Sequence, residues 1–145
     1  MTLPPPPVRA APHPVDVGTR TEAVVLAELV KRGYRVLLPF GHNHRYDLVL
    51  DVEGHFVRVQ CKTGRLSRGC VIFRAQSIRS NRRVSVMRDY KDDVDWILVH
   101  CPANGALYAI PIEEATRTQG TLRVDPTANG QEKGVRWARD FELPA

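Results

Sequence analysis

The stretch RYDLVLDVEGHFVRVQCKTG, residues 45–64, alternates apolar and polar side chains on both sides of Glu53-Gly54, the pattern of two antiparallel strands joined by a tight turn. With Glu53 and Gly54 as the central turn residues, Val52 pairs with His55 and Asp47 falls opposite Gln60. Because side chains alternate faces, Gln60 and Lys62 project together, while Val57, Val59 and Cys61 point the other way into apolar surroundings. Three polar groups, Asp47, Gln60 and Lys62, then converge at one end of the hairpin. A slip of one residue would put Asp47 on the wrong face, so the reading stands on this register.

Around the hairpin the sequence predicts one α/β domain with a mixed sheet. The opening MTLPPPPVRAAPHPVD has six prolines in its first fourteen residues and little that could form a core, so residues 1–16 are expected to be an extended, disordered arm and 17–145 the folded domain. TRTEAVVLAELVKRG predicts a helix with a capping box at Thr19 and Glu22, an apolar stripe of Val25, Leu26, Leu29 and Val30, and a stop at Gly33. Glu22 lies one turn before Leu26 and leans toward the core. YRVLLPF and CVIFRA read as strands, Gln76 to Asp89 as a basic loop with at most a helical turn, and DWILVHCPANGALYAIP as a second hairpin turning at Asn104-Gly105. Short helices are expected around IEEATR and GQEKGVRWARDFEL.

The positive charge is concentrated. Lys plus Arg outnumber Asp plus Glu by 21 to 16, and between Thr63 and Arg88 there is no acidic residue, while Arg65, Arg68, Arg74, Arg79, Arg82, Arg83 and Arg88 all fall there. Arginine forks match phosphate oxygens, so the segment suits a polyanion; a solvated basic loop is the plainer alternative. Cys61, Cys70 and Cys101 lack the paired spacing of zinc sites and fit a reducing cytosol. The chain has no apolar run long enough to span a bilayer and no secretory leader, so the expectation is a soluble cytoplasmic protein with no membrane partner.

An aspartate oxygen and an amide oxygen can hold Mg²⁺, with water and a phosphate oxygen in the remaining positions. Lys62 beside that water could orient or deprotonate it and offset charge on the phosphorus. Glu22, arriving from the helix, could bind a metal-bound water or a second metal. Structural readings stand beside these: Asp47 could cap a loop, Gln60 and Lys62 could be the exposed face of an edge strand, and Glu22 could only complete its capping box.

Glu22, Asp47 and the triplet Gln60-Cys61-Lys62 resemble, in that order, the helix glutamate, strand aspartate and (D/E)-x-K of the PD-(D/E)XK nucleases, with Tyr46 in place of the motif's proline and Gln60 in place of its acid. The glutamine variant is similar to group I intron-encoded homing endonucleases of this fold and related small bacterial proteins, as are LYAIPIEEA and LRVDPTANGQEKGVRWARDFEL, so the resemblance covers most of Val17 to Leu143. It implies a restriction-endonuclease-like mixed β-sheet core flanked by helices, and hydrolysis of DNA phosphodiesters with Mg²⁺, for which Mn²⁺ could substitute. It also implies a nucleoid-associated homodimer or homotetramer. Its site would comprise Glu22, Asp47, Gln60 and Lys62, with the backbone carbonyl of Cys61 as a further metal ligand, and His42, His44, Arg45 and the arginine-rich segment on DNA. Holliday-junction resolvases share this core, so that activity is an alternative; a catalytically inactive nucleic-acid-binding module is another, and a subunit that recruits a partner through the proline arm a third.

The triplet His42-Asn43-His44 also names another nuclease class, but the metal-bound module with further histidines is missing, so these residues read as the cleft border or a polar loop. His100 reads as a hydrogen-bonded core residue, Trp137 and Phe141 as packing on one helical side, and Tyr90 stays undecided.

Overall fold

A computed structural model describes residues 1–6, 11–80 and 85–145, and along 77–89 the backbone alone. Helix α1 spans Pro14–Lys31 and is followed by β1 (Arg35–Leu37), β2 (Leu48–Val52), β3 (His55–Thr63), β4 (Arg65–Ser67), β5 (Cys70–Arg74), β6 (Gln76–Ser80), β7 (Ser85–Asp89), β8 (Trp96–Cys101), β9 (Ala106–Pro111) and β10 (Gln119–Arg123). A central sheet runs β1-β2-β3-β8-β9, a smaller one β10-β5-β4, and β6-β7 form a separate ribbon. The central sheet is mixed: β3 and β8 run parallel and its other pairs antiparallel.

Each face of the central sheet has its own core. Val25 and Leu29 of α1 pack with Leu48, Val59, Cys61 and Leu98 on one face. On the other, Ile97, Val99 and Ile110 pack with Val71 and Phe73 of β5 and Leu122 of β10. Burying one such side chain contributes about 1.5–3 kcal/mol, so these two layers hold the sheet between the helix and the small sheet.

The helix starts earlier than its sequence pattern suggests. Pro14 occupies the first turn, where a missing N–H costs nothing, and the ring Nδ1 of His13 accepts the Val15 N–H at 3.3 Å. Residues 14–16 thus belong to α1 and not to the arm. Thr19 is interior, its hydroxyl donating to the Val15 carbonyl at 2.9 Å, so Thr19 and Glu22 form no capping box. The buried stripe is Thr21, Val25 and Leu29, whereas Val30 is 56% exposed. Gly33, at φ 84°, ends the helix as expected.

The 45–64 hairpin has the expected register, Val52 opposite His55 and Leu48 opposite Val59. Glu53 and Gly54 both have positive φ, 54° and 85°, the signature of a type I′ turn, and Asp51 Oδ1 accepts the Gly54 N–H at 2.9 Å. Glutamate is strained in the left-handed region, so Glu53→Asn should raise stability by about 0.5–1 kcal/mol, read as a higher urea midpoint at unchanged slope.

Three expectations give way to the structure. Residues 76–89, read as a loop, contain β6 and β7, with Gln76 opposite Asp89; a ribbon with no continuous apolar face offers little periodicity to read. The second hairpin turns through four residues, 102–105, since Cys101 pairs with Ala106; Gly105 N–H reaches the Cys101 carbonyl at 2.8 Å, and Asn104 uses its side chain to accept the Ala106 N–H. The two expected later helices shrink to 3₁₀ turns at Ile112–Glu114 and Ala138–Asp140. Gly130 and Gly134 both have positive φ, which breaks the second, and the tail instead pairs as extended chain, Phe141 and Leu107 carbonyls accepting from Ala109 and Leu143.

Candidate active site

Asp47 stands at the entrance of β2, its N–H donating at 2.8 Å to the carbonyl of Val59, the residue that already pairs with Leu48, so the strict register ends at Leu48 and Asp47 forms a bulge beside it. Across from it, Gln60 Nε2 donates to Asp47 Oδ2 at 2.6 Å, and the Cys61 N–H donates to the same oxygen at 2.7 Å. Lys62, two residues on, shares the Gln60 face of β3 by alternation, while Val59 and Cys61 turn toward α1. Asp47 and Gln60 therefore meet, and Lys62 shares their face, its charge felt at Asp47.

Electrostatics mark the cluster as short of positive charge. Burial raises the Asp47 carboxyl above its usual range, against the lowering effect of the Cys61 N–H and the Lys62 charge. Glu22 is raised as well, first by partial desolvation and then by the Asp47 charge. Glu22 itself is exposed; the residue that enters the core from this part of α1 is Thr21, whose hydroxyl shares a hydrogen bond with that of Thr63. The Cys61 thiol is pushed up strongly by burial and both carboxylates, so it is a packing group and no nucleophile.

The donor set fits a divalent cation. Asp47 keeps Oδ1 without a hydrogen bond among the described residues, Glu22 makes none there, and both carboxylates are destabilised in a way a cation would relieve. Among the described residues no group of three or more His, Cys, Asp or Glu gathers for a metal, consistent with Gln60 standing where a third acid would complete one. As oriented, Gln60 offers Asp47 its NH₂, and Nε2 also lies 3.4 Å from the Cys61 carbonyl; the amide must turn over to offer a cation its oxygen.

Lys62 Nζ makes its hydrogen bonds to neither Asp47 nor Gln60 among the described residues. It donates to the Tyr90 hydroxyl at 3.0 Å and lies 3.5 Å from the Gln76 carbonyl, with the Tyr90 ring centroid at 4.7 Å. Tyr90, left undecided from sequence, is 4% exposed, and Arg45 stacks on its ring at 4.6 Å while donating to Asp93 at 2.9 Å. Arg45, read as a DNA contact, is thus partly buried and paired with Asp93. Nothing in the local pattern around Tyr90 announces this role, because the contact joins residues far apart in the chain.

Among the remaining expected DNA contacts, His42, Arg65, Arg68 and Arg74 are exposed. His44 shares a 2.7 Å hydrogen bond with the Phe40 carbonyl and is exposed too. Arg79 and Arg88 lie in β6 and β7, where the backbone alone is described, and Arg82 and Arg83 lie outside the described residues. His100 is in β8, its Nδ1 buried without a hydrogen-bond partner among the described residues. Among the described residues no helix is long and apolar enough to cross a membrane.

A family model of the PD-(D/E)XK endonucleases matches residues 13–144, nearly the whole chain. The chain belongs to the PD-(D/E)XK endonuclease family. This PD-(D/E)XK endonuclease is also similar in structure to the bacterial homing endonuclease I-Ssp6803I, with a TM-score of 0.70 over 86% of this chain and 85% of that one, at 23% identity. That likeness establishes the shared restriction-endonuclease-like fold, with its mixed sheet and helix. No curated protein matches the chain.

Proposed function

We propose that the protein is a metal-dependent DNA endonuclease whose centre comprises Asp47, Gln60, Lys62 and Glu22. The observation that carries the reading is the 2.6 Å contact between Gln60 and Asp47, with Lys62 on the same strand face, in a chain that belongs to the PD-(D/E)XK endonuclease family. Asp47, Gln60, the Cys61 carbonyl and Glu22, the last through water, would hold Mg²⁺, or Mn²⁺ in its place, which when bound supplies Lewis-acid polarisation and charge neutralisation at the scissile phosphate. Lys62 Nζ orients the attacking water and meets the negative charge that grows on the phosphate oxygens. Exposed Arg65, Arg68 and Arg74, with Arg79 and Arg88 of the ribbon and Arg82 and Arg83, grip the DNA backbone, and His42 and His44 border the cleft. The working form is a cytoplasmic, nucleoid-associated homodimer or homotetramer, and the proline-rich segment ahead of α1 is an arm outside the nuclease domain.

Substrate choice is tested with a plain supercoiled plasmid and a four-way junction incubated with Mg²⁺. Nicking or linearisation of the plasmid supports the endonuclease, and cutting confined to the junction would replace it with the Holliday-junction resolvase. One observation favours a second reading, a binding module without catalysis: Gln60 already satisfies Asp47 with an amide hydrogen, so the cluster is stable with no cation. Salt-sensitive binding of both substrates with neither cut would support that reading.

Gln60→Glu separates the two without DNA. The substitution removes the NH₂ that bonds Asp47 and adds a carboxylate, costing about 1–3 kcal/mol in the absence of metal and strengthening any cation site. Mg²⁺ should therefore raise the melting temperature of Gln60→Glu more than that of the wild type. If Mg²⁺ moves neither, there is no cation site at these residues.

A further inference from the structure

Lys62 is tied at Nζ to both feet of the β6–β7 ribbon. Gln76, whose carbonyl lies 3.5 Å from Nζ, is the first residue of β6, and Tyr90, whose hydroxyl accepts from Nζ at 3.0 Å, directly follows β7. The two feet are joined, since Gln76 pairs with Asp89. Tyr90 is fixed from behind. It is 4% exposed, Arg45 stacks on its ring at 4.6 Å, and its carbonyl accepts the N–H groups of Asp93 and Val94 at 3.0 and 3.1 Å. A long, flexible lysine stem would otherwise sample many rotamers, so a rigid acceptor at the ammonium selects one of them.

Resting on the nuclease reading above, we propose that Tyr90 is a positioning residue for Lys62 and makes the lysine's placement depend on the ribbon, so that DNA engaging the ribbon sets the geometry at the scissile phosphate. A two-stranded ribbon carrying arginines is a shape the major groove admits, and here its base ends on the amine that the reaction needs. The ribbon would then serve in binding and in licensing the cut. Non-cognate DNA that fails to seat the ribbon would be held and left intact.

Tyr90→Phe removes the hydroxyl and keeps the ring between Arg45 and Lys62. The expected result is a fall in kcat of about 10- to 100-fold, the worth of one hydrogen bond to a charged group, with KM for DNA unchanged. Arg88→Ala in the ribbon, opposite Ser77, should lower kcat as well as raise KM in the wild-type background, and only raise KM beside Tyr90→Phe. Acylation of Lys62 by an N-hydroxysuccinimide ester, followed by mass spectrometry without DNA, should run faster in Tyr90→Phe than in the wild type. A role for Tyr90 in packing alone predicts wild-type kcat, additive effects of the two substitutions and an unchanged acylation rate, and any of these three overturns the proposal. The acylation arm reports on the tether even if the wild type cuts no DNA, an outcome that would instead overturn the nuclease reading.

Discussion

Lys62→Ala is expected to bind duplex DNA as the wild type does and to cleave it roughly two to four powers of ten more slowly, the span that lost acid–base assistance typically costs. The separation follows from where the amine sits. Nζ is half-buried against Tyr90 and Gln76, so it adds little to a DNA grip that draws on the exposed arginines. Its loss takes charge and orientation from the reacting phosphate alone. Single-turnover cleavage measured beside equilibrium binding reads the two effects apart, and equal loss of binding and cleavage would recast Lys62 as one more phosphate contact.

Asp47→Asn should remove metal-dependent cleavage to a similar or greater extent while leaving the fold nearly intact. The asparagine oxygen can still accept from Gln60 Nε2 and the Cys61 N–H, the two donors that Asp47 Oδ2 satisfies at 2.6 and 2.7 Å, but it contributes no charge to a cation. Asp47→Ala is the harsher change. It strands both donors in a partly buried site, at about 1–3 kcal/mol each, and should lower the urea midpoint. Calorimetric titration with Mn²⁺ checks the first prediction directly, the heat of binding seen in the wild type being lost in Asp47→Asn.

The hairpin was readable because two independent signals agreed. Strict alternation set which side chains share a face, and Glu53-Gly54 set the register as far as Leu48 opposite Val59, which brings Asp47 within reach of Gln60. The start of α1 was misread because Thr19 and Glu22 have the spacing of a capping box, while Pro14 could begin the helix a turn and a half earlier. The β6–β7 ribbon escaped because a two-stranded element outside the main sheets need not alternate, and the C-terminal segment escaped because extended pairing with β9 and β10 outcompeted a helical pattern interrupted by glycines. The tether of Lys62 to Tyr90 and the pairing of Arg45 with Asp93 were beyond local patterns altogether, since each joins distant parts of the chain and neither leaves a periodic trace. Arginine count alone could not tell Arg45, partly buried and paired with Asp93, from Arg65 and Arg74, offered to solvent.

The most direct test of the central claim is cleavage of supercoiled plasmid by wild type, Asp47→Asn and Lys62→Ala side by side, each with Mg²⁺, with Mn²⁺ and with EDTA. Cutting by the wild type in either metal, none in EDTA and none above background in the two variants is the predicted result. Cutting that survives EDTA, or that either variant performs at the wild-type rate, would contradict a metal-dependent centre built on Asp47 and Lys62.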